Sequence, residues 1–137
     1  MYDGYRTTIS VELRDLSYYC PVRVLEHPTP EEIRLEAVLH AFADPMRLEV
    51  VRFLAEAGRE VSCSEIDLAV SKSTGTHHYR VLREAGVINQ VYRGTAKLNS
   101  LRHEVLNAIF PGLLDSVIAA TARQRPPAPS PSQRRGE

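Results

Sequence analysis

The chain has 137 residues, 43% of them hydrophobic, with Lys/Arg and Asp/Glu balanced at 17 each. That length fits one ordinary domain with extensions, and no stretch approaches the roughly 18–20 apolar residues of a membrane span. Two cysteines, Cys20 and Cys63, exclude a disulfide framework, and the opening MYDGYRTTIS lacks the basic-then-apolar layout of a secretory signal, so a reduced, cytoplasmic setting is expected.

Residues 1–28 form an N-terminal extension with two readings. Ile9, Val11 and Leu13 alternate as in a strand, while Leu13, Leu16 and Tyr19 line one side of a helix. The segment is too apolar for a disordered arm and is expected to pack on the body or on a partner subunit. From Thr29 the punctuation sharpens. TPEE offers Thr29 as N-cap, Pro30 at the first helical position and Glu32 to complete a capping box. Ile33, Leu35, Ala37, Val38, Leu39, Ala41 and Phe42 then make a helix apolar around much of its circumference, which implies burial on two sides. DPMRLEVVRFLAEAG repeats the grammar, with Asp44 as cap, Pro45 opening the helix and Gly58 closing it. Ser62 and Glu65 form another capping box, predicting a short helix through Ile66, Leu68 and Ala69.

Ser71 is the next cap candidate, ahead of the segment SKSTGTHHYRVLREAGVI. Gly75, Tyr79 and Leu82 fall on one helical face, with His78 and Ala85 adjoining; Lys72, Ser73, Thr76, His77, Arg80 and Arg83 lie mainly elsewhere. Gly86 stops the helix. VINQVYRGTAKLN then predicts a two-stranded hairpin over about residues 87–99 with its turn at RGT. A helix from about Leu101 to Phe110 comes next, broken at Pro111-Gly112, and LLDSVIAAT forms another. The tail, residues 123–137, is Pro/Ser/Arg-rich and expected to be disordered.

Neutral overall, the chain sorts its charges. Residues 1–69 carry seven Lys/Arg against thirteen Asp/Glu, whereas residues 70–103 carry Lys72, Arg80, Arg83, Arg93, Lys97 and Arg102 against Glu84 alone. A basic face can therefore exist on a neutral protein. Helix, short connection, helix with one basic side and basic hairpin is the order a helix-turn-helix requires: one face of the second helix is buried and the other meets the major groove. Ser73, Thr76, His77 and Arg80 are the candidates for base edges, Arg80 by bidentate contact with guanine. Lys72 and Arg83 suit the phosphate backbone, and Arg93 and Lys97 at the hairpin tip suit phosphate or an adjacent minor groove.

The runs FADPMRLEVVRFLAEAG and SKSTGTHHYRVLREAGVI together resemble the ArsR-type family of winged helix-turn-helix transcriptional regulators, over residues 36–102. The resemblance implies a mainly α fold: a winged helix-turn-helix with a two-stranded β-hairpin wing and flanking dimerisation helices, over residues 29–122. It also implies a homodimeric repressor on double-stranded DNA, bound at an imperfect inverted repeat and open to release by a small-molecule effector. By the same resemblance Ser73, Thr76, His77 and Arg80 fall on the recognition helix and Arg93 to Lys97 on the wing. Three features depart from the family pattern. Gly75 stands where a bulky aliphatic residue is usual, Tyr79 where leucine is common, and the helix before the recognition helix is shorter than usual. Tyr79 is expected to fill the space at Gly75.

Metal sensing, common in that family, finds few ligands. The family's C-x-C thiols correspond here to Ser62 and Ser64, and the last helices offer only His103 and Asp115. No metal or other cofactor is expected; a mixed site drawing on Cys20, Cys63, His27 or His40 is the alternative. Adjacent helical residues point about 100° apart, so His77 and His78 do not make a chelate. His77 is expected to face DNA and His78 to pack at the core edge or bond a neighbouring backbone group. No paired carboxylates, nucleophile motif or glycine-rich phosphate loop suggests an enzyme. A winged helix used only for protein interaction is the other rival.

Overall fold

A computed structural model describes residues 22–124. The Ile9/Val11/Leu13 alternation, Cys20 and residues 125–137 of the Pro/Ser tail lie outside the described residues. The elements are β1 (Val22–Val24), a 3-10 turn at Pro30–Glu32, α1 (Leu35–Phe42), α2 (Pro45–Ala57), β2 (Val61–Ser62), a second 3-10 turn at Cys63–Glu65, α3 (Lys72–Ala85), β3 (Ile88–Arg93), β4 (Ala96–Leu101), α4 (His103–Ile109) and α5 (Leu113–Gln124). The fold is mainly helical with an antiparallel hairpin, the arrangement of a winged helix-turn-helix. Among the described residues no single helix is long and apolar enough to cross a membrane.

Local chemistry explains most boundaries. At the start of α2, Asp44 Oδ1 accepts hydrogen bonds from the backbone N–H of Met46 (2.8 Å) and Arg47 (3.2 Å), and Pro45 occupies the first turn, where its missing N–H costs nothing. Gly58 ends the helix at φ 61. Ser71 Oγ caps α3 by accepting from Thr74 N, and Gly86 closes it at φ 88. The hairpin turns at Gly94, φ 64, followed by Thr95. Glycine first in a two-residue turn matches the strand twist that hairpins need.

Two predicted helices differ. The Thr29 side chain donates to Glu32 Oε1 (3.0 Å) rather than capping the backbone, and only a 3-10 turn forms there. Ile33 and Arg34 are extended, so α1 begins at Leu35. The break turns Ile33 inward against Gly86, so closely that a Cβ on residue 86 would lie 2.6 Å from Ile33 Cγ1. The Ser62/Glu65 capping box does form, with Ser62 N donating to Glu65 Oε2 at 2.8 Å. The box opens one 3-10 turn instead of a short helix, because Ile66 is extended and buried in the core.

The hairpin is the centre of a four-stranded antiparallel sheet of order β1-β3-β4-β2. Val24 pairs with Val91 on one side and Val61 with Asn99 on the other. Val38, Val50, Val51, Leu54, Val61, Leu82, Val87 and Ile88 meet in the core beneath it, with Leu106 and Leu114 closing it from α4 and α5. Each such side chain contributes about 1.5–3 kcal/mol on full burial, so α3 is held firmly through Tyr79 and Leu82.

Candidate nucleic-acid interface

α3 divides as its periodicity predicts. Gly75, His78, Tyr79, Leu82 and Ala85 are buried, and Lys72, Ser73, Thr76, His77 and Arg80 are exposed. An open depression of about 380 Å³ between α3 and the hairpin is lined by Ser73, Thr76, His77, Arg80, Arg83 and Lys97. Six side chains singled out for DNA contact, five from the helix and one from the wing, thus share one concave surface. Lys72 and Arg93 do not line it.

The partners of these groups set what each can do. Arg80 pairs with Glu84 one turn on (3.3 Å), both exposed, a contact weak enough to yield to a base or phosphate. Thr76 Oγ1 donates to Lys72 O (2.9 Å), leaving its oxygen lone pairs as acceptors. Lys97 Nζ lies 5.7 Å above the Tyr92 ring, which also receives Arg23 at 4.6 Å from its other strand neighbour. Arg83 is not a simple exposed cation: Nη1 donates to Gln90 Oε1 (2.9 Å), and Nε is buried without a hydrogen-bond partner among the described residues. Arg93 is committed to Glu60 through two contacts of 3.0 and 3.1 Å, which hold that carboxyl below its usual range and tie the wing to the segment after α2.

A family model described as a helix-turn-helix domain matches residues 42–91, from the end of α1 into β3. An uncharacterized HTH-type transcriptional regulator of Bacillus subtilis (strain 168), YceK, is 32% identical over 89 residues, covering 64% of this chain and 88% of its own length. The chain belongs to the helix-turn-helix-type transcriptional regulators. MJ1325, an uncharacterized HTH-type transcriptional regulator of Methanocaldococcus jannaschii, is 37% identical over 59 residues, 42% of this chain and 66% of its own. As a DNA-binding regulator of this type, the protein is not classed with enzymes.

The regulator's remaining polar residues are largely tied up. His78 is buried, but its partner is a side chain: Nδ1 lies 3.3 Å from Arg47 Nη1 and 3.9 Å from Asp44 Oδ1. Arg47 only donates, so in that contact Nδ1 is the acceptor. His77 is exposed, its ring centroid 6.0 Å from that of His78. His27 Nε2 accepts from the backbone N–H of Gln90 (2.8 Å). Burial, then the nearby Arg102 and Arg83 charges, lower its pKa against a raising contact from Leu25. Cys63 Sγ accepts from Asn99 Nδ2 (3.1 Å). Burial, followed by Cys63, pushes the Tyr79 phenol up. His40 is exposed on α1, and His103 Nε2 meets Asp115 Oδ1 at 2.9 Å. Among the described residues no group of three or more His, Cys, Asp or Glu is placed to hold a metal ion.

Four contributors escaped the sequence reading. Arg23 joins the cationic row over Tyr92 because β1 pairs with β3; the alternating VRV between Pro21 and Pro28 was the available signal. Arg47 reads as an ordinary helix cation until its burial is seen. Gln90 and Asn99 look like surface residues of a hairpin and are fully buried.

Proposed function

We propose that the protein is a homodimeric ArsR-type repressor that inserts α3 into the major groove of double-stranded DNA, with the β3–β4 wing against the flanking backbone. The observation that carries this reading is the single depression shared by Ser73, Thr76, His77, Arg80, Arg83 and Lys97. Arg80, with His77 and Ser73, reads base edges; Thr76 accepts from them; Lys72, Arg83 and Lys97 neutralise phosphate, and Arg93 steadies the wing through Glu60. Leu35 and Leu39 on α1 are 44% and 47% exposed, an apolar stripe that supports pairing of two copies. A two-fold dimer would set two recognition helices about 34–36 Å apart on an imperfect inverted repeat. The domain then takes in residues 29–122 together with β1, the edge strand of its sheet, and the last turn of α5 to Gln124. An effector would act from the open concavity of about 720 Å³ between the end of α2, the sheet and α4–α5, which Glu60 itself lines.

The test is selection of duplexes from a randomised pool by the purified protein, followed by titration of Arg80→Ala. Enrichment of an inverted repeat, with reduced discrimination between it and a scrambled duplex in the variant, is the expected result. Absence of any salt-sensitive duplex binding would sink the reading. Unchanged discrimination in Arg80→Ala would remove that residue from base readout.

A further inference from the structure

We propose that Gln90 and Asn99 are positioning residues that hold Arg83 at the DNA-facing depression and lock the wing to the recognition helix as one reading surface. The proposal rests on the regulator reading above. Both side chains are 0% exposed, one on each strand of the hairpin and facing each other in register. Two apolar residues would fill those positions without needing any hydrogen bond, whereas a buried amide is costly unless every polar atom is satisfied. Here the satisfaction runs in one direction. Arg83 can only donate, so its Nη1 fixes Gln90 Oε1 as acceptor at 2.9 Å. That turns Gln90 Nε2 onto Asn99 Oδ1 (2.6 Å), which in turn sends Asn99 Nδ2 to Val61 O (3.2 Å) and Cys63 Sγ (3.1 Å).

A single chain of donors therefore links α3, β3, β4, β2 and the turn that precedes the recognition helix. The strand itself is pinned at Gln90, whose N–H donates to His27 Nε2 and whose carbonyl accepts from Leu25 N. With Nε of Arg83 buried and Nη1 spent on Gln90, Nη2 is left for phosphate. Pre-ordering a long, rotamer-rich side chain removes part of the conformational cost from the binding step. It also makes the angle between helix and wing a property of the free protein.

The experiment compares the wild type, Gln90→Leu/Asn99→Leu and Arg83→Ala, and combines all three substitutions. Replacing both amides together avoids leaving either one unsatisfied, and thermal melts confirm the fold. In the free protein, the Arg83 side-chain NMR signals should show restricted guanidinium rotation, lost in the double-leucine variant. On the duplex selected by the wild type, that variant should bind about tenfold more weakly, the scale of one hydrogen bond to a charged group. In the Arg83→Ala background the same pair of leucines should change affinity by less than about twofold, since the amides act through Arg83. Equal losses in both backgrounds, or a freely rotating Arg83 in the wild type, overturn the proposal. A wild type that selects no duplex overturns the regulator reading instead, and the NMR arm still decides whether the amides position Arg83. Should the double variant fail to fold, the wild-type Arg83 signals decide alone.

Discussion

Removing the guanidinium of Arg47 should cost the protein a large share of its stability. Arg47 is 7% exposed, and its head bridges the end of α1 and the middle of α3. Nε donates to Ala41 O (2.7 Å) and Nη2 to His40 O (3.1 Å), two of the last carbonyls of α1, while Nη1 faces His78 Nδ1 on α3. In Arg47→Met the two fully buried acceptors, Ala41 O and His78 Nδ1, lose a charged donor at about 1–3 kcal/mol each. His40 O is partly exposed and can turn to water, and methionine refills much of the volume, so the net loss centres on about 3 kcal/mol. For a body of this size that lowers the melting midpoint by roughly 10–20 °C. Urea titration followed by circular dichroism reads the loss as a shifted midpoint at unchanged slope. Arg47→Lys should recover less than half, because one compact ammonium cannot span three acceptors. A loss below about 1 kcal/mol would show that the bridge between α1 and α3 is not held by this side chain.

Other substitutions discriminate further. Gly75→Ala should stabilise by about 0.5–1 kcal/mol, since Gly75 is mid-helix and the new Cβ meets only Val70 Cγ2 at 3.9 Å; a lower melting midpoint would mean that Tyr79 needs the space. Gly86→Ala should destabilise by at least about 2 kcal/mol, combining left-handed strain at φ 88 with the Ile33 clash, and near-neutral stability would contradict that close approach. Lys97→Ala should weaken selected and unrelated duplexes by similar factors and reduce the salt slope by about 1, whereas an unchanged slope would reject its phosphate role. Because the His27 pKa is lowered from 6.5 when folded, the unfolded chain binds the proton more readily. Its contribution is complete above about pH 6.5 and declines as the pH falls through the window below. His27→Gln keeps an acceptor for Gln90 N–H without titrating, so the urea midpoint should vary less between pH 7.5 and 5 than in the wild type; equal curves would put that pH dependence elsewhere.

The parts of the fold legible in the sequence are those governed by nearest neighbours. Asp44-Pro45, Ser71, Gly58 and Gly86 act within a turn of themselves, and each occupies the predicted cap or stop. The division of α3 comes from the 3.6-residue period alone. Where long-range packing decides, local grammar misleads: TPEE is a sound helix start, yet Ile33 leaves the helical path to reach Gly86, far along the chain. Likewise SCSE makes its capping box, and the burial of Ile66 ends the turn that the box began.

The candidate site was legible by charge and period but not by partner, and partners decide what a cation can do. Lys72, Arg80, Arg83, Arg93 and Lys97 are equivalent in a charge count. Among the described residues, Arg80 is held only by an exposed, exchangeable pair, Arg93 serves as a strut to Glu60, and Arg83 is clamped from within the hairpin. The clamp was invisible because Gln90 and Asn99 sit at strand positions where polar residues ordinarily face water. Their side chains are covered by α3 and the turn at Cys63 instead, Gln90 meeting Arg83 and Asn99 meeting Cys63 Sγ. On the proposal above, the hydrogen bonds from Arg83 through Gln90 to Asn99 set the angle of the wing to α3. On the same proposal, the regulator would discriminate through the geometry between helix and wing as well as through the number of its cations.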